Sequence, residues 1–423
     1  PEDFNDYIES SEYLALIDMI AFLGQNISFR VDLNARENFI ELAERRESVL
    51  RLARLISYNP TRNQPANGLL KFTSVQTTEN VIDSDGTNLA ARTIKWNDNV
   101  NANWYEQFIK ILNASFTATN KYGTPRKSES IEGVPTEKYK FNSTPSVFPV
   151  FGFQKPVNGK SLDFEIVSTD IHNGEIIEEP PKAGNQVGLL YRDNGQGAGS
   201  SNTGFFMHFR QGVLQKGEFT VNSPVPNQRI DIDAANINQE DVWLFKLNND
   251  ASQGNQWTKV DAVEGNNIIY NSISKNIRNI FSVLTRVDDR ISLIFSDGIF
   301  GELPAGTFRT FYRTSQNADF TITPNNLKNI KVNIPYISAT GKTETLTVQL
   351  SLRDTIQNAS SSETTESIKT NAPSTYYTQN RLITGEDYNV GPLGISQDII
   401  KVKAVNRTSS GINRYYDLRD STG

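Results

Sequence analysis

His172 and His208 are the only two histidines in the chain, and there is no cysteine. That pair of facts bounds the chemistry. Neither histidine belongs to a His-x-x-x-His or Glu-x-x-His arrangement, so no zinc signature exists. Without cysteine there is no disulfide framework, no thiolate metal site and no cysteine nucleophile. A serine triad needs a histidine base, and no Gly-x-Ser-x-Gly elbow is present. His208 lies in Phe205-Phe-Met-His-Phe209 and reads as a packed or surface strand residue. Gly195-Gln-Gly-Ala-Gly199 has the glycines of a phosphate loop but lacks the Gly-Lys-Ser/Thr ending, and no helix follows it. It reads as a flexible loop tip. Glycoside hydrolysis needs only two carboxylates, and Asp231 with Asp233, Glu240 with Asp241, and Asp288 with Asp289 are available. The first pair shares a face of a possible strand and could take calcium. Such pairs are more often turn or edge residues in water, and nothing in the spacing selects one over another. No catalytic residue, metal, cofactor or enzymatic activity is assigned from these residues.

The elements that would position these residues fall into blocks. At 423 residues the chain exceeds one ordinary core and predicts two or three domains. The formal net charge of −6 argues against a wide basic face for nucleic acid. No apolar run is expected to reach the ~20 residues of a membrane helix, and the acidic start has no basic n-region of a signal peptide. The opening Pro-Glu-Asp and the closing Asp-Ser-Thr-Gly read as an internal piece of a longer protein.

Residues 1–59 predict helices. After a cap at Ser10 or Ser11 come Leu14, Leu16, Ile17, Met19, Ile20, Phe22, Leu23 and Ile27. These cover most of the helix circumference, and a helix apolar nearly all round must be buried on several sides. The segment Asn38 to Ala43 and a helix from Ser48 to Ile56 are expected to cover part of it and other chains the rest; the alternative is a core helix of this same chain. Arg45, Arg46, Arg51 and Arg54 alternate with Glu41, Glu44 and Glu47, the pattern of a solvated, salt-bridged face. Residues 60–352 predict a β-rich region, sandwich-like or a partial barrel. Its expected strands include Leu69 to Val75, Ser161 to Val167, Gly204 to Phe209, Trp243 to Leu247, Ile268 to Tyr270 and Leu346 to Leu352. Asp85-Gly86 and Asn158-Gly159 are hairpin signals, and Trp104 to Leu112 is an amphipathic piece. Residues 353–375 read as a polar linker with a short helix that Ala372-Pro373 ends. Residues 376–423 read as the start of a C-terminal α+β domain with a strand from Ile399 to Val405. The fold class is therefore α+β, multidomain.

Two segments shape backbone rather than carry chemistry. Leu293-Ile-Phe-Ser-Asp-Gly-Ile-Phe-Gly-Glu-Leu-Pro-Ala-Gly306 predicts a buried strand and a tight turn at Asp297-Gly298. A short apolar return at Ile299-Phe300 would follow, then a new strand from Thr307 to Arg313. Tyr377-Thr-Gln-Asn-Arg-Leu-Ile-Thr-Gly-Glu-Asp-Tyr388 predicts a helix start with Thr384 as N-cap and Asp387 in the capping-box position.

Together these segments resemble the baseplate J family, the inner baseplate proteins of contractile phage tails and related injection machines. The matching residues are Phe295, Asp297, Gly298, Phe300, Gly301, Pro304 and Gly306, then Arg381, Thr384, Asp387 and Tyr388, with Ile383 where valine is usual. The front helices and their exit, Tyr58-Asn-Pro-Thr-Arg-Asn-Gln-Pro-Ala66, resemble the family's start, most like its T-even-type wedge members. The resemblance implies a structural subunit of a baseplate wedge in the virion, assembled in the host cytoplasm. It implies a second copy of the chain as partner, bundling with other wedge proteins through Leu14, Leu16, Ile17, Ile20, Phe22, Leu23 and Ile27. It also implies neighbouring wedges in a six-fold ring around the hub and tube, with no nucleic acid and no membrane. Arg381 and Tyr388 would sit at a domain or subunit contact. A β-rich tail adhesin or carbohydrate-binding module is the alternative.

Overall fold

The computed structural model describes residues 12–80, 94–95, 108, 112, 124–141, 148–182, 186–197, 199–261, 263, 277–338, 340–378, 382–395, 399 and 401–405. The sequence expectations at Asp85-Gly86, at Ile268 to Tyr270, at Ser10 or Ser11 and at Arg381 lie outside these residues. So does the amphipathic piece 104–112, except for Phe108 and Leu112. Both are buried, and the Leu112 amide donates to the Phe108 carbonyl at 2.9 Å. The chain divides into two compact units: residues 1–61 with 285–287 and 363–423, and residues 62–284 with 288–362.

The first unit is helical. The front helix, Glu12–Arg36, has 25 residues, and a second helix, Arg46–Leu55, has 10. Arg45 precedes that second helix and offers no side-chain cap. Glu37 takes over: its Oε1 accepts the amides of Glu44 at 3.0 Å and Arg45 at 3.2 Å. A hydrogen bond from Ser48 and these amides hold its carboxyl below the usual range. Val49, Leu50 and Ala53 of the second helix pack with Ile368 and Ala372 of the helix Thr365–Thr378. That helix runs through Pro373, where the sequence pattern places its end. The ring removes one hydrogen bond of the ladder, and burial of Ile368 and Ala372 keeps the helix going.

A last helix, Gly385–Ile395, follows. The strand expected from Ile399 to Val405 does not form among the described residues there, and no α/β domain is present in them. Alternating apolar residues make a strand only where a ladder partner exists, and none of the described residues supplies one.

Two further expectations are overturned at the front helix. Asn38 to Ala43 and the second helix do not cover it, because their small core closes around Ile368 and Ala372 instead. The stretch Leu14–Arg36 is also 23 residues long and apolar enough to cross a membrane. Its polar residues break the apolar run in the sequence, but a helix of this length averages over them.

The second unit is β. One sheet runs in the order Ile330–Ile337, Thr343–Leu352, Asn67–Thr77, Gly204–Gln211, Gly188–Arg192, Val134–Lys140, Lys127–Ile131. Lys160–Val167 also pairs with Gly204–Gln211, and with Val150–Val157 through a hairpin at Asn158-Gly159. Both turn residues have positive φ, 50° and 78°, as a type I′ turn requires. The second sheet runs Val213–Val221, Gly306–Thr314, Ile237–Leu247, Gln253–Lys259, Ile280–Thr285, Ile291–Phe295, Arg229–Ile232. A small hairpin, Thr169–His172 with Glu175–Glu178, stands apart.

Each sheet closes on its own core. Leu70, Phe72, Phe164, Phe205, Phe209 and Leu350 are among the first sheet's buried residues. Trp257, Phe281, Leu293, Phe295 and Phe308 fill the second. Phe219, in the first strand of that sheet's order, meets Phe295, in its sixth, with ring centroids 6.3 Å apart. The second sheet therefore curls around its core as a partial barrel.

The hairpin expected at Asp297-Gly298 is not one. Ile291–Phe295 and Gly306–Thr314 lie in the same sheet with three strands between them. Ile291–Phe295 is flanked by Arg229–Ile232 and Ile280–Thr285, so residues 299–300 find no free edge to return along.

Candidate assembly surfaces and a buried ionic centre

The front helix leaves its apolar residues in water. Leu16, Ile17, Met19, Ile20, Phe22, Leu23 and Ile27 are all exposed, from 45% at Ile17 to 68% at Met19, and Leu14 is half-buried. Phe29 and Val31 extend the surface. The helix spans about 37 Å at 1.5 Å per residue. A lone exposed apolar residue means little, but a continuous surface of this kind marks an interaction site.

The exit segment that follows is held residue by residue. Within the helical unit the Tyr58 hydroxyl donates to both oxygens of Glu363 at 2.8 and 2.9 Å. Asn59 Oδ1 accepts the Thr285 amide at 3.0 Å, and the Pro60 carbonyl accepts the Thr285 hydroxyl at 2.8 Å. Burial pushes the Tyr58 hydroxyl well above its usual pKa, and Glu363 adds to the shift. Within the β unit the wholly buried Arg62 donates to the carbonyls of Ile237, Asn238 and Gln239. Desolvation lowers its pKa to about 10, against the pull of Asp289 and Glu240. Asn63 Nδ2 donates to Asn238 Oδ1 at 3.0 Å and to Ser315 Oγ at 2.7 Å.

Residues 296–305 form a loop organised by Asp297. Its Oδ1 accepts the amides of Ile299 at 2.9 Å and Phe300 at 3.0 Å. These bonds hold its carboxyl below the ordinary range, the Phe300 amide most strongly. Arg278 ties the loop down through the carbonyls of Gly298 and Ile299, and its own carbonyl accepts the Glu302 amide. Gly301 is packed so closely that a Cβ there would meet Ser296 at 2.7 Å and Ile280 at 2.8 Å. Pro304 is buried in the same loop, and Gly306 opens the next strand. Ile299 points into solvent.

At the last helix, the Asp387 amide donates to Thr384 Oγ1 at 3.2 Å. Asp387 Oδ2 accepts the Thr384 amide at 2.7 Å and the Ile383 amide at 2.9 Å. This is a reciprocal capping box. Leu382, Ile383 and Tyr388 around it are exposed.

The acidic pairs part company. Asp231 sits at a half-open position with Arg229 and Ser292. Glu240 is exposed beside Lys259. Asp241, its neighbour, is buried in a cluster that sequence reasoning missed. Arg313 lies at the centre. Its Nε donates to Glu165 Oε2 at 2.8 Å, and its Nη1 and Nη2 grip Glu178 at 2.8 and 2.9 Å. Asp241 lies 3.4 Å from Arg313 Nη1 and 3.4 Å from Arg210 Nη1. Trp243 lies under the guanidinium at 5.8 Å.

Glu165 and Arg210 come from the first sheet, Arg313 and Asp241 from the second, and Glu178 from the small hairpin. Burial alone would disfavour the Arg313 charge, but Glu178, Asp241 and Glu165 hold its pKa above the usual value. Burial likewise pushes the Asp241 carboxyl up, and Arg210 and Arg313 hold it down. His208 is wholly buried, and desolvation with Arg210 and Arg313 pushes its pKa down to about 3.

The available signal was one buried-face position. Phe308, Thr310 and Tyr312 alternate toward the second sheet's core, so Arg313 follows Phe311 on the other face. His172 ends its strand in solvent. Among the described residues no three His, Asp or Glu side chains gather as a metal-holding group.

Comparison with known proteins adds two matches. Residues 6–55 match the family described as the N-terminal domain of a bacteriophage baseplate protein. That match spans the front helix and the second helix, and it links the chain to the phage baseplate as a structural component of the virion tail. No curated protein matches the chain. Residues 68–355, which hold nearly the whole β unit, match the family described as domain of unknown function DUF8360. The chain belongs to that family.

Proposed function

We propose that this chain is a structural subunit of a baseplate wedge in a contractile tail. The observation that carries the reading is the exposed apolar front helix inside the segment that matches a baseplate N-terminal domain. A solvent-exposed helix of this composition is stable in the particle only when other helices cover it. In this reading two copies pair within a wedge, and their helices bundle with those of another wedge protein. Six wedges close a ring around the hub and tube, as the resemblance to the baseplate J family implies. Host contact shifts the wedge interfaces, the ring dilates, and the sheath contracts. The chain works by mechanics, without turnover, and wedges form in the host cytoplasm.

The same helix has the length for a membrane. Its polar residues favour protein partners. Asp18, Gln25, Asn26, Ser28 and Arg30 interrupt the span, and a charge in a bilayer costs up to about 2.5–3.5 kcal/mol, the value at its centre. A helical bundle accommodates such residues through hydrogen bonds and register choice.

Gold-labelled antibody against the chain, imaged on intact and contracted particles, tests the reading. Label confined to the disc at the distal end of the sheath is the expected result. Label on fibre tips would favour the adhesin. Label in the membrane fraction of infected cells, with none on particles, would favour a membrane span.

A further inference from the structure

We propose that the strand Val213–Val221 is a self-complementary edge through which two copies of this chain join their sheets across a two-fold axis. This strand ends the order of the second sheet and, among the described residues, pairs only with Gly306–Thr314. Its register is known residue by residue, Leu214 opposite Arg313 and Gly217 opposite Thr310. The Leu214 amide donates to Glu165 Oε1 at 2.8 Å rather than into the ladder. Leu214 therefore occupies a non-hydrogen-bonded pair. By the alternation of antiparallel ladders, Lys216, Glu218 and Thr220 also turn their N–H and C=O groups away from the sheet. Among the described residues no backbone group meets them, and all three residues are exposed.

The order Val-Leu-Gln-Lys-Gly-Glu-Phe-Thr-Val suits its own reversed copy. A two-fold axis through Gly217 sets Lys216 opposite the partner's Glu218 and Glu218 opposite the partner's Lys216. These outward-facing residues would form the hydrogen-bonded pairs, each exchanging two backbone bonds. The flanking charges match with opposite sign. Gly217 would face the partner's Gly217 in the closer, non-hydrogen-bonded pair. Among the described residues nothing calls for glycine there, since a Cβ would meet only the Tyr312 ring at 3.7 Å, an ordinary contact. A glycine inside a strand otherwise weakens it, and a close second backbone is one reason to keep it. Lys216 and Glu218 now pair within the strand at 3.2 Å, with Arg309 on Glu218 at 2.9 Å. Charges on an open edge repel strands of other sequence, so the same residues would select the second copy. The edge would pair in this way whether or not the chain belongs to a wedge.

The chain has no cysteine, so one introduced thiol can cross-link only to its own mate. The full chain carrying Gly217→Cys, mildly oxidised, is expected to run as a covalent dimer on a non-reducing gel. Gln215→Cys, two residues away, is expected to stay monomeric. The two-fold places its thiols about 13 Å apart along the strands, beyond disulfide reach. Adding Lys216→Glu to Gly217→Cys sets like charges opposite one another and should slow cross-linking at least tenfold. Adding Glu218→Lys as well should restore it. Failure of Gly217→Cys to cross-link, equal cross-linking of the two cysteine variants, or no rescue by the charge swap would each overturn the proposal. If Gly217→Cys does not fold, sedimentation of Lys216→Glu against the swapped double variant decides the same question. Dimer lost and then regained supports the edge, and any other pattern rejects it.

Discussion

The front helix and the Arg313 cluster invert the usual arrangement in opposite ways. Glu12–Arg36 holds Leu16, Ile20, Phe22 and Leu23 out in water. The β unit buries Arg313, Glu178 and Asp241 to within a few per cent of full enclosure. Each would be a liability by itself. An exposed apolar helix is unstable against association, and a buried charge is costly unless paired. The cluster solves its problem inside the chain, because every carboxylate in it has a guanidinium within 3.4 Å. Nothing among the described residues does the same for the helix. One region completes itself on folding. The other stays open among the described residues, and the proposed wedge partners would complete it.

This contrast can be broken most sharply at Arg313. Arg313→Ala leaves Glu165, Glu178 and Asp241 buried without their shared cation and should cost about 3–5 kcal/mol, read as a fall in urea midpoint. If the cost is below about 1 kcal/mol, the range of an exposed pair, the cluster is not what holds the two sheets and the small hairpin together.

The pH dependence comes next. The folded-state pKa of His208 is about 3 against roughly 6.5 unfolded. The unfolded chain therefore takes up the proton first as pH falls. The stability held by neutral His208 is whole above about pH 6.5 and is lost progressively down to about pH 3, near 2 kcal/mol of it by pH 5. His208→Gln should remove that part of the slope between pH 7 and 5, measured by urea unfolding at both values. An unchanged slope would mean that His208 titrates normally.

Smaller again is the cap. Thr384→Ala should cost the helix Gly385–Ile395 about 1 kcal/mol and raise amide exchange in its first turn, without changing exchange in the sheets.

The smallest effect on folding is expected where the effect on assembly is largest. Leu16→Glu or Ile20→Glu removes no buried contact within the chain, so the unfolding midpoint should move by less than about 0.5 kcal/mol. Wedge formation, followed by co-sedimentation with partner proteins, should be abolished. Wedges that form normally with these charges would show that the front helix is not the assembly element.

Much of this was legible locally. Asn158-Gly159 made its hairpin because both positions tolerate positive φ. Asn173-Gly174 carries the same signal and makes the small hairpin, although it was not among the hairpins expected. Thr384 and Asp387 made their box because capping needs only residues three apart. Asp297 bonded the amides two and three residues on. Phe295, Gly301 and Gly306 shape the backbone here, but no hairpin forms through them. Pairing is decided by which edges are free, and the strands that took those edges come from residues 229–232 and 280–285.

The sequence by itself determined the elements whose cause lies within a few residues: the apolar helix, the local hairpins, the caps and turns, and the absence of cysteine chemistry. Beyond these local hairpins, tertiary structure alone decided which strand lies beside which. It gathered Glu165, Glu178, Arg210, Asp241 and Arg313, scattered over about 150 positions, around one guanidinium. It also left the front helix bare. The physical reason is range. Backbone propensities and side-chain caps act over one turn or one hairpin, whereas burial and ion pairing act between any residues that the fold brings within a few ångströms.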